Sequence, residues 1–187
     1  LGDSKPYIYK TENYGKTWDL ITNGIAPDNP CRVIREDPAA EGHLYAGTED
    51  GLFISMDDGD TWSSFQQNLP VTPVTDIKIH RGDLVLSTMG RSFWILDNIS
   101  TLSQMESLDW SKNKLYKPKN TYRYKYPSGA RASSMPTYPR PAVIIDYTIA
   151  DSISEPIQLE IINSQGDVIN TFFSNDDENE IPEETIE

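Results

Sequence analysis

The residues best able to do chemistry in this chain are aspartates: Asp50, Asp57, Asp58, Asp76, Asp83 and Asp97. Two carboxyls across a cleft hydrolyse a glycosidic bond, at about 5–5.5 Å for retention and about 6.5–9.5 Å for inversion. Candidates are abundant, but no spacing singles out a pair. A sialidase-like site needs an arginine cluster to grip a carboxylate, plus a tyrosine nucleophile. Arg32, Arg35, Arg81 and Arg91 are present, yet no three are marked out. His43 and His80 show no ligand spacing and read as surface or strand-end residues. The lone cysteine, Cys31, excludes an intrachain disulfide and a cysteine-based zinc site. No phosphate loop, Ser/His/Asp order or Cys/His pairing occurs. The sequence assigns no catalytic residue, no metal site and no cofactor.

What does stand out is a repeat. Residues 9–18, YKTENYGKTW, align with residues 53–62, FISMDDGDTW, and Thr17 and Thr61 stand 44 residues apart. That spacing lies within the roughly 40–50 residues of a propeller blade. Both fit Ser/Thr-x-Asp-x-Gly-x-Thr-Trp, the Asp box. The second copy is complete, with Ser55, Asp57, Gly59, Thr61 and Trp62. The first has Thr11, Asn13, Gly15, Thr17 and Trp18, with Asn in place of Asp. The pattern encodes a tight hairpin. A short carboxylate or amide accepts backbone N–H bonds across its own turn. Glycine takes a positive φ that a Cβ would penalise. The Thr opens the next strand, and the indole offers a flat face for packing between blades. Asp57 is thereby accounted for structurally, and Asp50, Asp58 and Asp83 sit where Gly-flanked hairpins favour polar residues.

Between and beyond the two copies, β-branched residues, apolar alternation and Gly/Asp/Pro punctuation predict short strands. They are expected at 32–35, 43–48, 51–55 and 61–65, then at 74–79, 83–88 and 92–96. Residues 32–66 thus make a whole four-stranded blade, and 7–21 the outer two strands of the one before. Residues 74–97 make three strands, with no Gly-x-Thr-Trp after Asp97. A last blade lacking its outer strand is what closure by a strand upstream of Leu1 would leave. Such closure removes exposed sheet edges. The chain, opening inside a repeat, reads as truncated at its front.

A second module follows. Residues 114–118 and 122–126 are expected to wrap the propeller rim, and the Ser-, Pro- and Arg-rich stretch 128–141 reads as a linker. Strands are expected at 142–149, 157–162 and 168–173, the last two as a hairpin across the Ser164–Gly166 turn. The net charge is −13, of which seven carboxylates without a cation fall in 175–187, a tail read as disordered. Acidity on this scale argues against nucleic-acid or anionic-membrane partners. No apolar run reaches the roughly 18 residues of a membrane span.

The segments VIREDP (33–38), LYAGTE (44–49), GLFIS (51–55), NLPVTPV (68–74) and DLVLSTMGRSFWILD (83–97) together resemble the last blades of large bacterial Asp-box (BNR-repeat) proteins. These carry a sortilin-type propeller and are often labelled glycosyl-hydrolase-like. The stretch 142–173 is similar to the start of the immunoglobulin-like module that follows it. The resemblance implies an all-β fold, a partial β-propeller of four-stranded Asp-box blades followed by a partial immunoglobulin-like β-sandwich. Its divisions are 1–107 (final blades), 108–141 (rim segment and linker), 142–174 (start of the second module) and 175–187 (acidic tail). It implies an exported protein, secreted, periplasmic or on the bacterial surface, that binds a protein or glycan ligand at the propeller channel as a non-catalytic scaffold. The alternatives are a xyloglucanase- or sialidase-like glycoside hydrolase whose site needs further blades, and a complex-assembly factor. Relatives usually place His before the Gly-Arg of the last blade, where this chain has Met89-Gly90-Arg91, so no role rests on that histidine. Arg91 itself is read either as channel-facing or as part of a salt bridge between blades.

Overall fold

A computed structural model describes residues 2–106, 111–122, 142–150 and 156–174. Apart from one 3-10 turn, Leu102–Gln104, the regular structure described is all β-strand, in several small antiparallel sheets. The first sheet pairs β1 (Tyr9–Lys10) with β2 (Asp19–Leu20). The second runs in order β3 (Cys31–Glu36), β4 (Leu44–Thr48), β5 (Leu52–Ser55) and β6 (Ser63–Ser64). The third has three strands, β7 (Val74–His80), β8 (Asp83–Thr88) and β9 (Phe93–Leu96). Two short ladders follow, β10 (Lys114–Leu115) with β11 (Tyr147–Thr148), and β12 (Gln158–Ile162) with β13 (Val168–Phe173). No closed ring is formed by the described sheets.

The residues fall into two compact units, Leu1–Asp109 with Leu115–Tyr147, and Trp110–Lys114 with Thr148–Glu187. In the first, alternation along each strand sends every second side chain to the same face. Leu52 and Ile54 of β5 therefore join Val33 and Tyr45 in a core shared with Val74, Ile77, Leu84 and Leu86 of the third sheet. Trp94 and Leu96 pack on the same core from β9. A second core lies on the opposite side of β4, where Leu44, Ala46 and Trp62 meet Ile8 and Ile25. In the second unit the β12–β13 turn is closed by Asn163, whose side-chain oxygen accepts the N–H groups of Gln165 and Asp167, both at 2.9 Å.

Three segments depart from expectation. The strand expected at 61–65 is cut to Ser63–Ser64, because two of its amides are directed elsewhere. The Thr61 N–H bonds to Asp57 and the Trp62 N–H to the Asn23 carbonyl. Of the strand expected at 142–149, only Tyr147–Thr148 forms a ladder. Before it, the Asp146 side chain holds Thr101 and its carbonyl accepts the Tyr116 N–H. His43 stands at a strand end, directly before β4, as one of the two expected readings had it, but it is buried there. The expected rim strand 122–126 lies outside the described residues after Tyr122, as do the whole linker 128–141 and the acidic tail 175–187.

Candidate functional site

The two motif copies fold into the same turn. Tyr14 (φ 55°) and Gly15 (φ 83°) match Asp58 (φ 57°) and Gly59 (φ 92°), so two consecutive residues take the left-handed conformation. That pair of angles makes a tight turn inside each loop, whose last paired residues are Lys10 with Asp19 and Ile54 with Ser63. The opening hydroxyl accepts the glycine N–H, Thr11 from Gly15 at 2.8 Å and Ser55 from Gly59 at 2.9 Å. The acid or amide accepts the threonine N–H, Asn13 from Thr17 at 2.8 Å and Asp57 from Thr61 at 2.9 Å. One bond reverses. The Thr61 hydroxyl donates to the Asp57 carboxylate, whereas the Asn13 amide donates to the Thr17 hydroxyl at 2.7 Å. Burial acts against the charged form of Asp57, but bonds from the Thr61 hydroxyl and amide and from Ser55 outweigh it and hold the carboxyl below its usual range.

The indoles fare differently. Trp62 is 3 % exposed and donates its ring N–H to the Ile21 carbonyl at 2.9 Å, while Trp18 is 57 % exposed. The second turn is seated on the segment that follows the first. A Cβ on Gly24 would stand 2.1 Å from the Trp62 carbonyl oxygen, and one on Gly59 2.4 Å from Ile21 Cδ1. Lys10 of β1 pairs with Asp58, and that hydrogen bond, followed by the one to Glu12, raises the lysine's pKa. Nothing in the residue pattern marks Ile21, Asn23 and Gly24 as the seat of Trp62, because they match no motif.

The loops leaving β4 and β8 also repeat, by hydroxyl rather than by glycine pattern. Thr48 and Thr88 each bond across the loop, to the Gly51 carbonyl at 3.1 Å and the Ser92 carbonyl at 2.7 Å. The next residues, Glu49 and Met89, donate to the carbonyls of Pro30 and Pro73. Arg91 sits on the second of these loops, its N–H on the Thr88 hydroxyl at 3.1 Å and its carbonyl accepting the Trp94 indole at 2.9 Å. The backbone is thus held on both sides of an exposed guanidinium. Among the described residues Arg91 makes no ion pair; the second and third sheets are instead joined by Arg35–Asp76, at 2.8 Å.

The remaining charged candidates are dispersed. Arg32 pairs with Glu49, and Lys119 reaches Asp83 at 3.6 Å and the Arg81 carbonyl at 2.7 Å. Asp83 also accepts the Asn98 N–H at 3.0 Å. His80 ends β7 in an exposed position, far in character from the buried His43. No group of three His, Cys, Asp or Glu residues able to hold a metal is present among the described residues. Burial pushes the Cys31 thiol up, against thiolate chemistry. Among the described residues, the buried Tyr45 Oη and His43 Nδ1 have no hydrogen-bond partner, and burial, then the Asp37 charge, drives the Tyr45 phenol far up. No described helix is long and apolar enough to cross a membrane. Comparison with protein-family models, with curated proteins and with solved structures gives no match to this chain.

Proposed function

We propose that the chain is part of an Asp-box β-propeller scaffold, with the start of an immunoglobulin-like module after it, in an exported bacterial protein that binds a protein or glycan ligand. One observation carries the reading. A turn with the same left-handed pair, the same hydroxyl and Asx bonds and the same 44-residue spacing links β1 to β2 and β5 to β6, the outer strands of successive sheets. Radial stacking of such sheets places the β4–β5 and β8–β9 loops at one end, where propellers take ligands. Arg91 stands there with its backbone held and an exposed guanidinium that makes no ion pair among the described residues, suited to a carboxylate or sulfate on a glycan, or to an acidic side chain.

Of the six aspartates a hydrolase reading could draw on, four are held in other bonds: Asp57 by Thr61, Asp58 by Lys10, Asp76 by Arg35 and Asp83 by Lys119 and Asn98. Binding to an array of neutral and acidic glycans and to a panel of extracellular proteins, scored with the unaltered chain and with Arg91→Ala, tests the scaffold reading. The expected result is retention of an anionic ligand, weakened about tenfold or more by the substitution with an unchanged melting curve. Release of free sugar from any glycan, lost on changing one of these aspartates to Asn without unfolding, would establish the hydrolase instead.

A further inference from the structure

We propose that Asn23–Gly24 is a self-modifying site, where the chain converts Asn23 to aspartate and isoaspartate through a cyclic imide and thereby loosens the seat of Trp62. The chemistry needs only water and draws on no residue of the Arg91 loop.

Asn23–Gly24 is the one Asn-Gly pair in the sequence. Glycine matters there because it has no side chain to keep its main-chain nitrogen from the asparagine amide. The pair fills the centre of a turn closed by the Ile25 N–H on the Thr22 carbonyl at 3.1 Å, and Gly24 has the positive φ, 103°, of a type II turn. Both residues are exposed, and among the described residues the Gly24 N–H donates no hydrogen bond. Once solvent base removes that proton, the nitrogen can attack Cγ of Asn23. An N–C bond forms, the Cγ–Nδ2 bond breaks, and the amide nitrogen leaves as ammonia. Water then opens the imide at either carbonyl. Opening at the former side-chain carbonyl gives aspartate; opening at the main-chain carbonyl gives isoaspartate, with the chain running through the old side chain. Asn163, on an exposed turn before Ser164, is the internal comparison, because its side-chain oxygen already accepts the Gln165 and Asp167 N–H groups.

Two bonds tie this turn to the second Asp box. The Asn23 carbonyl accepts the Trp62 N–H at 2.8 Å, and the Asn23 side-chain amide donates to the Asp60 carbonyl at 3.3 Å. Aspartate keeps the first bond and loses the second, because a carboxylate has no N–H to give. Isoaspartate disturbs both. The carbonyl that held the Trp62 N–H becomes a free carboxylate off the main chain, and the main chain gains a methylene. The contact has no room for that. A Cβ on Gly24 would stand 2.1 Å from the Trp62 carbonyl oxygen and 3.1 Å from its nitrogen. An added main-chain atom beside it displaces the segment whose indole donates to the Ile21 carbonyl and packs with Ile25.

The test holds the whole chain in mildly alkaline buffer and weighs its proteolytic peptides by mass spectrometry over time. The Asn23 peptide is expected to gain the mass of OH in place of NH2, severalfold faster than the Asn163 peptide. Enzymatic methylation of isoaspartate is expected to label it. The converted chain, separated by charge, is expected to melt about 2–4 °C lower and to show red-shifted tryptophan emission. Asn23→Gln keeps an amide but needs a larger ring to cyclise, and is expected to show neither mass gain nor labelling there. The proposal is overturned if Asn23 holds its mass in the folded chain while converting in urea, if Asn163 converts as fast, or if the converted chain melts and emits like the original. Any of these leaves the glycan and protein binding assigned to the Arg91 loop standing, since that end is assayed separately.

Discussion

The two turns of this chain are nearly the same object in different surroundings. Each uses a hydroxyl, an Asx side chain and two residues of positive φ to close a hairpin, with matching bonds at 2.8–2.9 Å. Yet Trp62 is enclosed and Trp18 is left mostly in solvent. The turn is thus a local device that makes its own geometry. The indole beyond it contributes to stability only where a neighbouring segment, here 21–25, is present to cover it.

The largest test of this contrast is removal of the rings. Trp62→Ala is expected to lower the unfolding free energy by about 3–5 kcal/mol, as for other buried large-to-small changes. Trp18→Ala should stay within about 0.5 kcal/mol. Denaturant melts of both variants measure this, and equal losses would break the comparison. The turn glycines come next. Alanine at Gly15 meets only ordinary contact, 3.6 Å from Trp18, so its cost is the left-handed strain of about 1–2 kcal/mol. Gly59→Ala must also displace Ile21 Cδ1 and is expected to cost about 1 kcal/mol more. The same melts decide the order.

The smallest effect concerns pH. Asp57 is held below its ordinary value in the folded chain, so it binds its proton less readily there than in the unfolded chain. Its contribution is present above the ordinary carboxyl value near 3.8 and fades as pH falls through the lower folded value. Asn13, in the other turn, has nothing to titrate. Asp57→Asn should therefore flatten part of the acid limb of the stability curve below the ordinary carboxyl value, while Asn13→Asp should steepen it. Identical acid limbs for all three chains would show that the carboxylate bonds at this exposed turn carry no weight.

Much of this was legible in the residues. The strand order from 31 to 96 follows from β-branched alternation and Gly/Pro punctuation, and the turns follow from Asn13-x-Gly15 and Asp57-x-Gly59, whose bonds span four residues. Less legible was the length of β6, because the Trp62 amide is taken by Asn23, a residue 39 positions earlier with no motif around it. His43 offered no sign of burial, since a histidine at a strand end is as compatible with water as with a core. Residues 142–149 have strand composition, but a ladder needs a partner, and only Tyr147–Thr148 finds one. The loop that presents Arg91 repeats through Thr48 and Thr88, whose surroundings, Gly-Thr-Glu and Ser-Thr-Met, look unrelated as text.

Sequence alone determined the bends, because each is closed by side chains within eight residues and needs no distant partner. Tertiary structure decided which of two like indoles is covered, which amides leave the ladder and which charge stays unpaired. Those outcomes depend on surfaces contributed by segments far apart in the chain, and a local pattern carries no information about what will be brought against it.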